Sequence, residues 1–177
     1  IDIVGLAISD GIVISPDDTR QPKLCFVGNR PSIVEGTVPQ ETTQALASGP
    51  LLLRDGQILP KPGGPRHPRT AVGISADGAR LWLVVVDGRQ AGYSEGATVA
   101  ELATILRECG AANALNLDGG GSTTMVVEGP DGTPRVLNSP IHTGIRGRQR
   151  PVANHLGVRI RRQNSQQTET AAKENRQ

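Results

Sequence analysis

Asp-Gly recurs along this chain between short apolar runs, and that punctuation limits the fold more than any other feature. Asp10-Gly11 parts Leu6-Ala7-Ile8-Ser9 from Ile12-Val13-Ile14-Ser15, and Asp55-Gly56 parts Leu51-Leu52-Leu53-Arg54 from Gln57-Ile58-Leu59. Asp77-Gly78 and Asp131-Gly132 sit between similar runs. A type I′ turn needs φ > 0 at both central residues, so Asp-Gly between apolar runs predicts hairpins. The units share a turn type and no residue-level repeat, so neither a solenoid nor a propeller is expected.

One helix stands out. Thr98-Val99-Ala100-Glu101 fits a capping box, Val99, Leu102, Ala103 and Leu106 form one apolar stripe, and Gly110 suits the position just past the end. A weaker helix is expected over 40–47. The continuous apolar run 81–86 reads as a central strand covered on both faces. Strand 81–86, the capped helix and strand 114–117 then form a β-α-β crossover that sets Asp87 and Asp118 at one sheet edge, where open α/β sheets bind ligands. The fold expected is α/β in the mixed α+β sense: a single domain over 1–160, with a mixed sheet of Asp-Gly hairpins and flanking helices. Residues 161–177 are polar and aperiodic, and read as a disordered tail.

The core must be built from Val, Ile, Leu and Ala, because the chain has one Trp, one Tyr and one Phe. Lys and Arg total 19 against 17 Asp and Glu, and the whole excess of +2 lies in 161–177. The remaining body is neutral, which argues against a nucleic-acid partner held by a strong positive field. Cys25 and Cys109 are too few for a disulfide framework and leave pairing open. No stretch approaches the ~20 apolar residues of a membrane span. No signal peptide or initiator Met is present, so the sequence reads as a processed or excised piece.

Chemistry concentrates at Asn116-Leu117-Asp118-Gly119-Gly120-Gly121-Ser122-Thr123, between the apolar segments 111–115 and 125–127. Both segments read as short buried strands. Three consecutive glycines each cost about 0.5–1 kcal/mol of extra backbone entropy relative to alanine, a cost met where backbone must approach something closely. Their N–H groups can cradle an anion, with Asp118 at the entrance and the Ser122 and Thr123 hydroxyls on the rim. Arg69, where a loop runs into a strand after His67-Pro68, can offer a planar fork to a phosphate or carboxylate. Six arginines lie between Arg146 and Arg162 with no aromatic among them, which reads as a solvated face with one or two anion-binding members. Glu101 is explained by the capping box alone. Asp87 can be hairpin chemistry with Gly88 or a second acid at the active edge. No zinc-ligand spacing, P-loop or dinucleotide fingerprint occurs.

His67-Pro68-Arg69-Thr70-Ala71-Val72-Gly73, Val85-Val86-Asp87-Gly88-Arg89, Thr98 to Ala103, Asn116 to Thr124 and Arg150-Pro151-Val152-Ala153-Asn154 follow one another in an order that resembles the phosphodiester glycosidase family. The similarity covers most of 5–160. At the start the chain departs from the family, whose strand ending in an NGGFF-like motif has no counterpart before Gly5. The resemblance implies a hydrolase that cleaves a sugar C1–O bond with a phosphate ester as leaving group, such as an α-N-acetylglucosaminyl phosphodiester in glycans or cell-envelope polysaccharide. It implies an extracellular, periplasmic or envelope location. On this reading Asp118, and second to it Asp87, would be catalytic. Arg69, Asn116, Gly119, Gly120, Gly121, Ser122, Thr123, Arg150 and Asn154 would bind a glycan or sugar-phosphate substrate. Asp87 and Asp118 also permit a Ca²⁺ or Mg²⁺ between them. Two other readings remain: a binding module of the same fold without catalysis, and an arginine-rich anion-binding protein.

Overall fold

Ten strands carry the core in two five-stranded sheets. The computed structural model describes residues 3–17 and 20–160, and the expected tail of 161–177 lies outside the described residues. The first sheet holds β1 (Ala7–Ser9), β2 (Ile12–Ser15), β3 (Lys23–Val27), β4 (Arg30–Val34) and β5 (Gln44–Ala47), in the spatial order β2-β1-β5-β3-β4. The second holds β6 (Leu51–Arg54), β7 (Gln57–Ile58), β8 (Arg69–Ile74), β9 (Leu81–Val86) and β10 (Asn113–Leu117), in the order β7-β6-β10-β8-β9. One α-helix, α1 (Val99–Glu108), lies between β9 and β10. Two-stranded ribbons, β11 (Val126–Glu128) with β12 (Pro134–Val136) and β13 (Ile141–His142) with β14 (Ile145–Arg146), follow. The domain is mostly β with a single helix.

The layers follow from side-chain alternation, which has period two in a strand. Along β8, Val72 and Ile74 join Leu115 of β10 and Leu24 of β3 in the core between the sheets, with Phe26 and Leu46 packed against it. Ala71, on the other face, joins Leu102, Ala103 and Leu106 of α1. Gly73 points the same way, and a Cβ there would lie 2.8 Å from Ala111 Cβ and 2.9 Å from Leu106 Cδ2. The close seating of the helix on the sheet thus requires glycine at 73. The capping box is formed: the Glu101 N–H donates to Thr98 Oγ1 at 3.1 Å, and the Thr98 N–H donates to Glu101 Oε2 at 2.9 Å.

Strand directions put the two aspartates at one edge. β9 and β10 both pair antiparallel with β8, so they run parallel to each other and never touch. Val86 ends β9 opposite Arg69, and Leu117 ends β10 opposite Thr70. Asp87 and Asp118 therefore leave the sheet on either side of the start of β8.

Four local expectations are corrected. The segment 40–47 is a turn followed by β5, not a helix, because Ala45 and Leu46 pair with β1 on one side and β3 on the other. The apolar run 81–86 is the edge strand β9, partly exposed, with α1 covering only one face. The run after the glycines is not buried: β11 is exposed throughout and pairs with β12, so the glycine turn is no hairpin. Several flanking helices are not found; α1, seated on the second sheet, is the single α-helix among the described residues.

Candidate functional site

Arg69 opens β8 at the shared edge because Pro68 holds the preceding chain extended. Its guanidinium donates through Nε to the Ala97 carbonyl at 3.0 Å and through Nη2 to the Pro65 carbonyl at 3.3 Å. Burial, and then the neighbouring Arg89 cation, lower its pKa from the usual guanidinium value. The same Pro68 touches the glycine turn. Its carbonyl accepts the Gly120 N–H at 2.9 Å, and a Cβ at Gly119 would lie 2.7 Å from that oxygen. Gly120 to Ser122 then make one 3₁₀ turn, with Gly120 at φ 61°. The Gly120 N–H is thus spent inside the protein, and the Ser122 N–H goes to the Gly119 carbonyl. The N–H groups of Gly119 and Gly121 make no hydrogen bond among the described residues.

Cations close over this turn. A Cβ at Gly120 would lie 3.1 Å from Nη1 of Arg89, and one at Gly121 would lie 3.2 Å from Nδ1 of His142 and 3.4 Å from Cδ of Arg150. Arg150 Nη1 also reaches Ser122 Oγ at 3.5 Å. His67 Nδ1 lies 3.4 Å from Arg89 Nε; desolvation, followed by the Arg89 and Arg69 charges, lowers its pKa and favours the neutral ring. The ion pairs among the described residues are Lys23 with Asp17, Arg54 with Glu35 and Arg66 with Glu101. Arg69, Arg89 and Arg150 take part in none of them. Two guanidinium side chains without a carboxylate partner among the described residues, those of Arg89 and Arg150, therefore reach the glycine turn, whereas Arg69 approaches Gly119 only through its Cα.

The two aspartates differ. Asp118 is exposed beside the turn. Asp87 is half-buried and accepts from Asn138 Nδ2 at 2.9 Å, from the Ser139 N–H at 2.9 and 3.0 Å, and from the Tyr93 hydroxyl at 3.0 Å. Asn138 also donates to the Thr123 carbonyl and accepts the Met125 N–H, so this network ties the end of β9 to the chain leaving the glycine turn. No three of His, Cys, Asp and Glu are gathered among the described residues.

The other expected residues are placed as follows. Thr123 is buried and shares a hydroxyl contact of 3.3 Å with Thr70. Asn116 is buried and donates to the Gly49 and Leu117 carbonyls, with its Oδ1 unpartnered. Asn154 lies in a separate cleft against the first sheet, beside Leu24 and Phe26. Glu101 has the capping box and Arg66 as partners, and the Thr98 N–H is the main influence lowering its pKa. Cys25 and Cys109 are both free, the first buried and the second exposed.

Sequence reasoning left out Arg89 and His142. The available signal for Arg89 was its place directly after Asp87-Gly88 at the predicted edge, where it adopts φ 57°, a conformation uncommon outside glycine. His142 reaches the turn only through the β13–β14 ribbon, and no local pattern announces that.

A family model described as phosphodiester glycosidase matches residues 3–159. The chain belongs to the phosphodiester glycosidase family. It is 28% identical over 148 residues to the SPbeta prophage-derived uncharacterized protein YomE of Bacillus subtilis (strain 168), an overlap of 72% of this chain and 22% of that protein. Its fold is similar to the zebrafish N-acetylglucosamine-1-phosphodiester alpha-N-acetylglucosaminidase catalytic domain auto-inhibited by its pro-peptide, with a TM-score of 0.62 and 24% identity. That likeness covers 78% of this chain and 51% of the zebrafish one. The chain thus spans about a fifth of one relative and about half of the other.

Proposed function

We propose that this protein hydrolyses sugar-1-phosphodiesters of the α-N-acetylglucosaminyl type, in glycans or envelope polysaccharide, outside the cytoplasm. The observation that carries the reading is the convergence of Arg89 and Arg150, neither ion-paired among the described residues, on the Gly119-Gly120-Gly121 turn beside an exposed Asp118. In this reaction the C1–O bond breaks and the electron pair leaves with the phosphate monoester. Water supplies the hydroxyl at C1, and its proton passes to the departing phosphate or to solvent. Such a leaving group is already a stable anion, so it needs fixed positive charge and N–H donors more than a general acid. The guanidiniums of Arg89 and Arg150, and the N–H groups of Gly119 and Gly121 that make no hydrogen bond among the described residues, supply both. Asp118 is the accessible carboxylate for the anomeric carbon, as nucleophile, as base for water or as partner of an oxocarbenium ion. Asp87 holds the site wall through Asn138 and Ser139.

The test is release of N-acetylglucosamine from a GlcNAc-α-1-phosphodiester by the full chain. Arg89→Ala should lower kcat/KM about 10²-fold, the usual size for removing one preorganised donor to a developing oxyanion. Phosphodiester binding without release would make the chain a binding module instead. Absence of both binding and release would overturn the site.

A further inference from the structure

Arg89 stands over Gly120, and Arg150 over Gly121 and Ser122, with neither ion-paired among the described residues. Like charges brought to neighbouring residues repel each other, and more so beside protein than in bulk water. The segments that carry the two side chains must therefore enforce their approach. Arg89 belongs to the turn after β9, whereas Arg150 follows the β13–β14 ribbon, which also brings His142 to Gly121.

Each segment is closed on itself by backbone hydrogen bonds. In the turn, the Gln90 N–H donates to the Ser94 carbonyl and the Ser94 N–H to the Gln90 carbonyl, both at 2.9 Å. In the ribbon, the Gly147 N–H donates to the Pro140 carbonyl at 2.7 Å and the His142 N–H to the Arg148 carbonyl at 3.1 Å. The two segments meet at Ser139, the root of the ribbon. Gln90 Nε2 donates to the Ser139 carbonyl at 2.8 Å, and the Ser139 hydroxyl donates to Gln90 Oε1 at 2.9 Å. Asp87 accepts the Ser139 N–H, and Arg146, stacked over the Tyr93 ring, reaches the Ser139 hydroxyl at 3.4 Å.

Gln90 suits this junction. It is only 6% exposed, so its bonds to Ser139 are sheltered from competing water. One planar amide supplies both the donor and the acceptor, and it adds no charge beside an anion. Its backbone directly follows that of Arg89. A shift of Ser139 against Gln90 is consequently a shift of Arg150 against Arg89.

We propose that Gln90 is a positioning residue: by holding Ser139 it fixes the spacing of Arg89 and Arg150 and so presets the glycine turn for one tetrahedral oxyanion. This inference rests on the anion site of the hydrolytic reading above. A preset spacing matters because an arriving anion then need not draw two repelling cations together.

Sulfate is the probe, since its charge does not change near neutral pH. In calorimetric titrations of the full chain, Gln90→Met, which keeps the length of the side chain and loses both bonds, should bind sulfate about 10-fold more weakly. Arg150→Ala should also weaken binding. The double variant should bind no more weakly than Arg150→Ala alone, because spacing ceases to matter once one guanidinium is gone. A purely structural glutamine would lower Tm and leave the sulfate affinity of the folded protein unchanged. Ser139→Ala removes one of the two bonds from the other side. It should give the same non-additive pattern at smaller size, and it serves where the methionine variant fails to fold. Losses that multiply in the double variant, or an affinity unchanged in whichever of these variants folds, would overturn the positioning role. Sulfate binding that depends on Gln90, without release of N-acetylglucosamine from a GlcNAc-α-1-phosphodiester, would keep that role and overturn the hydrolytic reading. No sulfate binding by the unmodified chain would overturn the anion site and the positioning role with it.

Discussion

Asp87 and Asp118 stand at the ends of parallel strands, yet their surroundings assign them different work. Asp118 is exposed, whereas the Asp87 carboxylate answers donors from Tyr93, Asn138 and Ser139. Asp118→Asn should therefore cut turnover at least ~10²-fold while phosphodiester binding persists, read by steady-state kinetics beside a titration. Normal turnover in that variant would remove Asp118 from the mechanism. Asp87→Asn should act through stability, because an amide NH₂ must then face the Ser139 N–H or the Asn138 NH₂. Leaving a donor unmatched in a part-buried place costs about 1–3 kcal/mol, visible as a lower Tm. A Tm unchanged by Asp87→Asn, combined with lost activity, would return Asp87 to direct chemistry.

At the level of elements, the helix was legible because every signal for it is local. Thr98, Glu101 and the stripe Val99, Leu102, Ala103 and Leu106 lie within one short window, and the capping box forms as that spacing requires. Glu101→Gln should be nearly silent in thermal melts, since an amide oxygen still accepts the Thr98 N–H. Thr98→Ala should cost about 1 kcal/mol. Collapse of activity in Glu101→Gln at unchanged stability would contradict this capping role. The strands were less legible, because their fate depends on distant partners. Residues 40–47 carry no strong β pattern and become β5 because β1 and β3 leave a gap between them. The run 81–86 is apolar enough for a central strand, yet no strand pairs with its outer edge among the described residues. The glycine turn was visible as a costly backbone feature, but which of its N–H groups would be free was not. Pro68 claims the Gly120 N–H from 52 residues away in sequence, and Arg89 and His142 arrive from two other elements.

The whole molecule is a stack of sheet, sheet and helix, and its two thiols report on it separately. Cys25 lies on β3 with no exposed surface, packed with Leu6, Ile8 and Ala45 on the outer face of the first sheet. Burial pushes its thiol up to about 11, against the opposing pull of Lys23. Cys109 is exposed at the end of α1. Thiolate is the reactive form, so a thiol reagent at pH 8 should label Cys109 quickly, and Cys25 only as fast as the sheet opens. Added urea should accelerate the second reaction alone. Two equally fast thiols would show that the first sheet does not shield Cys25. The same burial fixes the sign of a pH effect. A thiol that ionises near its ordinary value of 9.0 when unfolded, and only near 11 when folded, holds its proton longer in the native state. Its stabilising contribution is complete below pH 9 and lost as pH rises towards 11. Urea midpoints taken at pH 8 and pH 10.5 should therefore fall more steeply for the unmodified chain than for Cys25→Ala, and parallel falls would show that the buried thiol carries none of the alkaline sensitivity.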